Sequence, residues 1–329
     1  MSEINIKNLA NKVIKGERRS LAKAITLVES DLPEHQALVD QLLSIIHSST
    51  GKSIRLGISG APGAGKSTFI ETLGLELIKK GHKVAVLAID PSSPKSGGSI
   101  LGDKTRMEIL SQNENAFIRP SPTKESIGGV TRSTREAILL CEAAGYDMII
   151  IETVGVGQSE YQVASMVDFF YLIMLPNAGD ELQGIKKGII ELADSIIVNK
   201  ADEKNVVQAN LAKTQYENAL HIIQRDNFWQ PNVLCCSSTE KTGFDEVINN
   251  LFEYIKKSKI SNHFLLNRQN QTKLWFKQLI DNNLINLLMK NKYFSKTYVS
   301  LENDVIAGKR NAYMANKELI TIIKKKLEE

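Results

Sequence analysis

Gly60-Ala61-Pro62-Gly63-Ala64-Gly65-Lys66-Ser67-Thr68 has the form G-x-x-x-x-G-K-[ST]. Residues 54–59 before it form a short strand-like apolar run, and residues 69–78 after it have helical spacing. That strand–loop–helix setting gives the pattern its meaning as a phosphate-binding loop. Glycines let the backbone close on phosphate oxygens with no Cβ in the way. The amides then form an anion nest at a helix N-terminus. Lys66 brings a point charge to the β- and γ-phosphates, and the Ser67 hydroxyl is a Mg²⁺ ligand. The plainer alternative is a Gly-rich turn joining a strand to a helix.

Outward from this loop, the chain alternates strand and helix patterns. Residues 54–59, 84–89, 148–152, 169–175, 196–199 and 233–236 are short apolar runs. Continuous runs of this kind suit a mainly parallel sheet covered by helices on both faces, an α/β fold of the P-loop NTPase type. Residues 1–50 read as an N-terminal helical extension, with Leu21, Ile25 and Val28 on one face and Leu38, Leu42, Leu43 and Ile46 continuing the period. Residues 51–255 read as the nucleotide-binding domain. Residues 256–329 read as a polar helical arm carrying Leu265, Leu274, Phe276, Leu279, Ile280, Leu284, Leu287 and Leu288.

Composition agrees with an enzyme-like globular protein. The 329 residues are 42% hydrophobic and 24% charged, and they suffice for one large domain with extensions. A net charge of +4 without an aromatic-interleaved basic stripe does not argue for a nucleic-acid partner. Lys324-Lys325-Lys326 reads as a solvated helix end that complements the helix dipole. Three cysteines cannot build a disulfide framework, no signal-peptide pattern opens the chain and no apolar run reaches bilayer length. The expectation is a cytoplasmic protein with no membrane partner.

A second motif follows the run at 196–199. Asn199-Lys200-Ala201-Asp202 has the form N-K-x-D. A carboxylate at Asp202 can accept hydrogen bonds from guanine N1–H and N2–H₂, a donor pair that adenine lacks on that edge. Asn199 can meet the other edge of the ring, and the Lys200 stem can cover its plane. Such a site penalises the wrong base, because its carboxylate is left unpaired. A helix-capping Asp is the plainer alternative. Ser237, Ser238 and Thr239 follow the last strand run, where GTPases place a loop whose amides meet the guanine oxygen. The neighbouring Cys235 and Cys236 read as buried strand residues, because no nearby His or Cys completes a metal site.

Three carboxylates are candidates for the Mg²⁺ region. Asp90 ends the run at 84–89, Asp103 lies in the Gly-flanked Leu101–Met107 segment, and Glu152 ends the run at 148–151 in the Walker-B position. Carboxylates at the C-terminal edge of a parallel sheet point into the ligand crevice. Mg²⁺ takes one or two carboxylates besides phosphates and water, so three are more than direct ligation needs and some would act through water. Turn formation beside Pro or Gly is the alternative for Asp90 and Asp103, and a strand-end surface charge for Glu152. The mixed-charge stretch 177–188, with its three glycines, reads either as a loop able to reorder or as a solvated loop.

Taken together, these strings resemble the MeaB-type GTPases, the methylmalonyl-CoA mutase-associated subfamily of G3E P-loop GTPases, also labelled ArgK or LAO/AO transport ATPase. The resemblance runs from residues 18–30 through 60–68, 89–94, 100–107, 152–160 and 179–188 to 199–202. It implies a GTPase acting as a chaperone for an adenosylcobalamin-dependent mutase. Such a chaperone gates cofactor loading and protects or reactivates the mutase, which in turn stimulates hydrolysis. It also implies a homodimer joined through the C-terminal arm, with Arg268, Gln271 and Trp275 as landmarks. Three switch loops, around 90–106, 152–160 and 179–188, are implied as well. Arg106, Gln158, Asp180, Lys186 and Lys187 then become candidates for the response to the partner.

Ras-like enzymes carry a Gln directly after the glycine corresponding to Gly155; here Gln158 is the nearest one. Slow intrinsic hydrolysis is therefore expected, with Lys66, Asp90 and Glu152 as the catalytic set. The alternatives are an ATP-using kinase or transport ATPase, against which Asn199–Asp202 argues, a metal-insertion GTPase, for which Cys/His clusters are wanting, and a module that binds nucleotide without catalysis.

Overall fold

A computed structural model describes residues 5–30, 32–90, 107–122, 129–153, 159–176, 187–222 and 228–328. The chain divides into two compact units, Met1–Gln269 and Asn270–Glu329.

The first unit is built on seven strands: β1 (Ile54–Gly60), β2 (Val84–Asp90), β3 (Ala116–Pro122), β4 (Met148–Thr153), β5 (Phe169–Met174), β6 (Ser195–Val198) and β7 (Asn232–Cys235). They form one sheet in the order β3-β2-β4-β1-β5-β6-β7, and every pair is parallel. The sheet is filled outward on one side of β1 by β2–β4 and on the other by β5–β7. The crevice beyond the C-terminal end of β1 is thus a topological switch point, the place where open α/β sheets bind ligands.

The apolar runs are buried on both faces, every residue of β4 and β5 included. Ile149, Ile151 and Phe170 face a core shared with α1 (Ile6–Ile14), α2 (Arg18–Val28), α3 (Pro33–Ile46) and the helix Gly129–Ala143. Met148, Ile150, Phe169 and Tyr171 face the opposite core, with α4 (Lys66–Lys79) and the helix Phe244–Ile260. The two sets alternate along the strands, as the period of two requires. The N-terminal helices bury Leu21, Ile25, Leu42 and Ile46 completely in this shared core. Along the same face as the N-terminal helices, over β5–β7, Ala209, Ala212 and Tyr216 of the helix Val206–Ile222 pack on Met174, Val198 and Val233.

The helix that leaves the phosphate loop is firmly seated. Phe69 of α4 lies 6.1 Å from Tyr171 and 5.3 Å from Phe244, centroid to centroid. The fully buried Tyr171 hydroxyl donates to the Val247 carbonyl at 2.7 Å. Burial places that hydroxyl well above its ordinary pKa, so it remains a donor.

One strand was not expected. Ala116–Pro122 is β3, at the sheet edge, paired to β2 with Pro120 opposite Ala88 and Pro122 opposite Asp90. Two prolines argue against a strand inside a sheet, but an edge strand has one side free of ladder bonds and tolerates them.

The second unit consists of the distal part of the helix His263–Lys290 followed by the helices Lys292–Ile306 and Ala312–Glu328. Asn291 and Asn311 cap the last two, each accepting from two backbone N–H groups through Oδ1. Phe294, Leu301 and Ala315 are buried, whereas Leu274, Phe276, Leu284 and Leu287 are each more than half exposed. No described helix is long and apolar enough to cross a membrane.

Candidate functional site

β1 delivers the chain into the phosphate loop at Gly60. A Cβ there would sit 2.2 Å from the Ile173 carbonyl oxygen, so only glycine lets β1 turn beside β5. Ala61 and Ala64 are buried and anchor the two ends of the loop, while Pro62 and Gly63 lie exposed at its crest. Ala64 N–H closes the loop on the Ala61 carbonyl at 3.2 Å. Gly65 precedes α4 with φ +82°, and a Cβ on it would lie 2.8 Å from Asn199 Nδ2. Both the left-handed backbone and that close approach exclude a side chain. Lys66, the first residue of α4, donates through Nζ to the carbonyls of Gly60 at 2.8 Å and Ala61 at 3.2 Å. Thr68 is exposed one residue beyond Ser67.

Beneath the loop, Ser67 Oγ donates to Glu152 Oε1 at 3.4 Å. Glu152 lies in β4 opposite Ile58 of β1 and Ala88 of β2, and is 4% exposed. The next residue, Thr153, donates to Ser59 Oγ at 2.7 Å, a fully buried hydroxyl pair under the loop that the sequence reading missed. Asp90 closes β2, placing its backbone at the same edge of the sheet. The side chains of Asp90 and Lys187, and all of Asp103, Arg106, Gln158, Asp180 and Lys186, lie outside the described residues. Among the described residues, no group of three or more His, Cys, Asp or Glu could hold a metal ion. The Ser67 and Glu152 oxygens are nevertheless hard donors of the kind Mg²⁺ selects.

The N-K-x-D string leaves β6 next to the loop. Asn199, 1% exposed, donates through Nδ2 to the Ala64 carbonyl at 2.8 Å. Its Oδ1 accepts from Ser238 Oγ at 2.8 Å and Ser238 N–H at 3.3 Å. The Cys236 thiol also points at this oxygen, at 3.6 Å. Burial pushes that thiol up from its ordinary pKa, keeping it a protonated donor. Lys200 adopts φ +61°, the left-handed turn that carries the chain from Asn199 to Asp202. Asp202 Oδ1 accepts from Ser237 Oγ and, at 3.1 Å, from Thr239 Oγ1. Ala201 N–H bonds the Cys236 carbonyl at 3.0 Å, zipping the two loops together. Thr72 on α4 donates to the Ser238 carbonyl at 3.1 Å. As an ordinary mid-helix threonine, it carries no local signal of this role.

The base of the sheet holds a buried charge cluster at the opposite end from the loop. Glu142 accepts from Gly51 N–H, Ser53 Oγ and the Arg55 guanidinium. Arg268 forks onto Asp168 at 2.5 and 2.6 Å and also reaches the Ser53 carbonyl at 2.9 Å. Burial and then the neighbouring Arg268 pull the Arg55 guanidinium below its ordinary pKa. Burial also pulls on Arg268, but Asp168 and Glu142 outweigh it and hold this guanidinium above its usual value. Arg268, read from sequence as a landmark of the arm, is part of the first unit.

A phosphate loop after the central strand of a parallel sheet, with a carboxylate beside its serine, defines a P-loop NTPase. Within that class the chain belongs to the family described as Methylmalonyl Co-A mutase-associated GTPase MeaB, whose model matches residues 21–293. The GTPase ArgK of Escherichia coli is 46% identical over 312 residues, spanning 93% of this chain and 94% of that protein. The mitochondrial methylmalonic aciduria type A homolog of Mus musculus is 44% identical over 314 residues, 92% of this chain and 76% of that protein. A crystal structure of an LAO/AO transport system kinase is 40% identical, covers 98% of this chain and 99% of its own, and superposes with a TM-score of 0.76.

Proposed function

We propose that this chain binds and hydrolyses GTP with Mg²⁺ and uses that cycle as a chaperone for a cobalamin-dependent acyl-CoA mutase. It would gate adenosylcobalamin loading and protect or reactivate the mutase, with methylmalonyl-CoA mutase the first candidate. The observation that carries the nucleotide reading is Asn199. It ties the phosphate loop at Ala64 to the Ser238 loop, so the segments assigned to the phosphate and base ends of one nucleotide are bonded through one side chain. The mutase half rests on the family to which the chain belongs.

In this reading residues 60–68 wrap the phosphates, with Lys66 leaving the Gly60 and Ala61 carbonyls to neutralise charge on the transferred phosphoryl group as water attacks in line. Asn199, Lys200 and Asp202 read the base, backed by Ser237, Ser238 and Thr239. Ser67 and Glu152 would hold Mg²⁺ with help from Asp90 and Asp103, and the ion would supply charge neutralisation at the phosphates. Arg106, Gln158, Asp180, Lys186 and Lys187 are assigned to switch segments that the partner orders. Residues 1–50, 51–255 and 256–329 serve as helical extension, GTPase domain and dimerisation arm. The exposed leucines of the second unit support a homodimer, and the cytoplasm is the compartment this reading assigns.

Hydrolysis of GTP and of ATP by the purified chain, with and without a cobalamin-dependent mutase, tests the proposal. Slow GTP turnover, faster with mutase and lost by at least about 100-fold in Lys66→Ala, is expected. Equal use of ATP, or rapid turnover indifferent to the mutase, would refute it.

A further inference from the structure

Thr72 is buried in the middle of α4 and belongs to no motif. A helix threonine ordinarily turns its hydroxyl back on the carbonyl four residues earlier. Thr26, Thr214, Thr297 and Thr321 all do so, at 2.9 to 3.1 Å. Thr72 instead reaches out of its helix to the Ser238 carbonyl.

That contact completes the fixing of Ser238. Its N–H and its hydroxyl are both held by Asn199 Oδ1, and its carbonyl by Thr72. The carbonyl shares a peptide plane with the N–H of Thr239, and in a trans peptide the two point in opposite directions. Thr72 therefore sets the direction of the Thr239 N–H and aims it away from α4. Among the described residues nothing accepts from this N–H, and Thr239 is exposed. Asp202 lies beside it. Its Oδ1 is occupied by the Ser237 and Thr239 hydroxyls, while its Oδ2 accepts nothing among the described residues. An open N–H and an open carboxylate oxygen thus meet at the base-reading corner.

Guanine matches that pair. It presents the O6 acceptor next to the N1–H and N2–H₂ donors, whereas adenine has an amino donor where guanine has O6. An N–H fixed on that position attracts O6 and faces the adenine amino group donor to donor. We propose that Thr72 is a positioning residue for guanine selectivity. It touches no nucleotide, but through the Ser238 carbonyl it holds the Thr239 N–H on the base oxygen. The inference rests on the guanine reading given above and deepens it.

The test uses the full chain with Thr72→Val, which keeps the branched shape and loses the hydroxyl, and Thr72→Ser, which keeps the hydroxyl. Affinities for GDP, ADP, inosine diphosphate and 6-thioguanosine diphosphate are read by competition against a fluorescent guanine nucleotide. Inosine diphosphate keeps O6 and lacks the 2-amino group, whereas the thio analogue replaces O6 with sulfur, a weaker acceptor. Thr72→Val is expected to weaken GDP and inosine diphosphate together by about 3- to 10-fold, as the loss of one aimed hydrogen bond implies. The thio analogue should weaken by less than about twofold. Thr72→Ser should stay within about twofold of wild type for every nucleotide. Equal weakening of all the guanine analogues would mean general damage to the corner and overturns the proposal, as does an unchanged GDP affinity in Thr72→Val. If Thr72→Val does not fold, Thr72→Cys supplies a weak donor of similar size. The same pattern at smaller amplitude is then expected, and no change in GDP affinity overturns the proposal. A wild type that binds ADP as tightly as GDP removes the guanine reading and this inference together. A wild type that prefers GDP, with Thr72→Val unaltered, removes this inference alone.

Discussion

Asn199→Ala removes a side chain that touches both nucleotide-facing loops. It strands the Ala64 carbonyl, bonded at 2.8 Å, and the Ser238 N–H, bonded at 3.3 Å, while the Ser238 hydroxyl, bonded at 2.8 Å, can rotate to another acceptor. Two buried groups left unpaired at about 1–2 kcal/mol each give a loss of about 2–4 kcal/mol in stability. Both the Gly65 turn and the Ser238 loop lose their common brace, so GDP affinity should fall about 30- to 100-fold, some 2–3 kcal/mol. Urea unfolding in a Trp275→Phe background isolates Trp229, the other of the chain's two tryptophans. Its ring is 7% exposed, and its indole N–H donates to the Asp194 carbonyl at 2.8 Å, so its emission reports on the first unit. Asp202→Asn is the contrast. Its Oδ1 can still accept from Ser237 and Thr239, so stability should move by less than about 1 kcal/mol, while preference for GTP over ATP drops at least about 100-fold. An Asn199→Ala protein as stable as wild type, or an Asp202→Asn protein that keeps guanine selectivity, would refute this account of the base-reading corner.

Arg268→Ala should destabilise the first unit by about 3–5 kcal/mol in the same assay, because it leaves the buried Asp168 carboxylate without its forked partner. A charge-keeping Arg268→Lys cannot reproduce the fork and should recover only part of that. Leu284→Glu combined with Leu287→Glu, at positions 54% and 66% exposed, should convert a dimer to monomer in sedimentation velocity without changing GDP affinity. A monomeric wild type would remove the dimer from the proposal.

Much of the nucleotide-facing geometry was legible because its motifs are contiguous. Residues 60–68 needed only a preceding strand and a following helix to be read, and the apolar runs at 148–151 and 169–174 announced strands buried on both faces. Legibility failed where local chemistry misleads. Pro120 and Pro122 hid β3, whose edge position makes them tolerable. Thr72 and the Ser59–Thr153 pair bear no motif at all; each acquires its role from a partner far along the chain.

The sequence by itself determined the backbone freedom and donor types of the short peptides proposed to bind phosphate and read guanine, since these sit within a few consecutive residues. Only the tertiary structure decided that these peptides meet. Asn199 meets Ala64 across 135 residues, Ser67 meets Glu152 across 85, and Thr72 meets Ser238 across 166. Those meetings follow from the strand order, which sets β1 between β4 and β5 and brings β6 and β7 to the same edge. Strand order is settled by burying both faces of the whole sheet at once, a global condition that no local window contains.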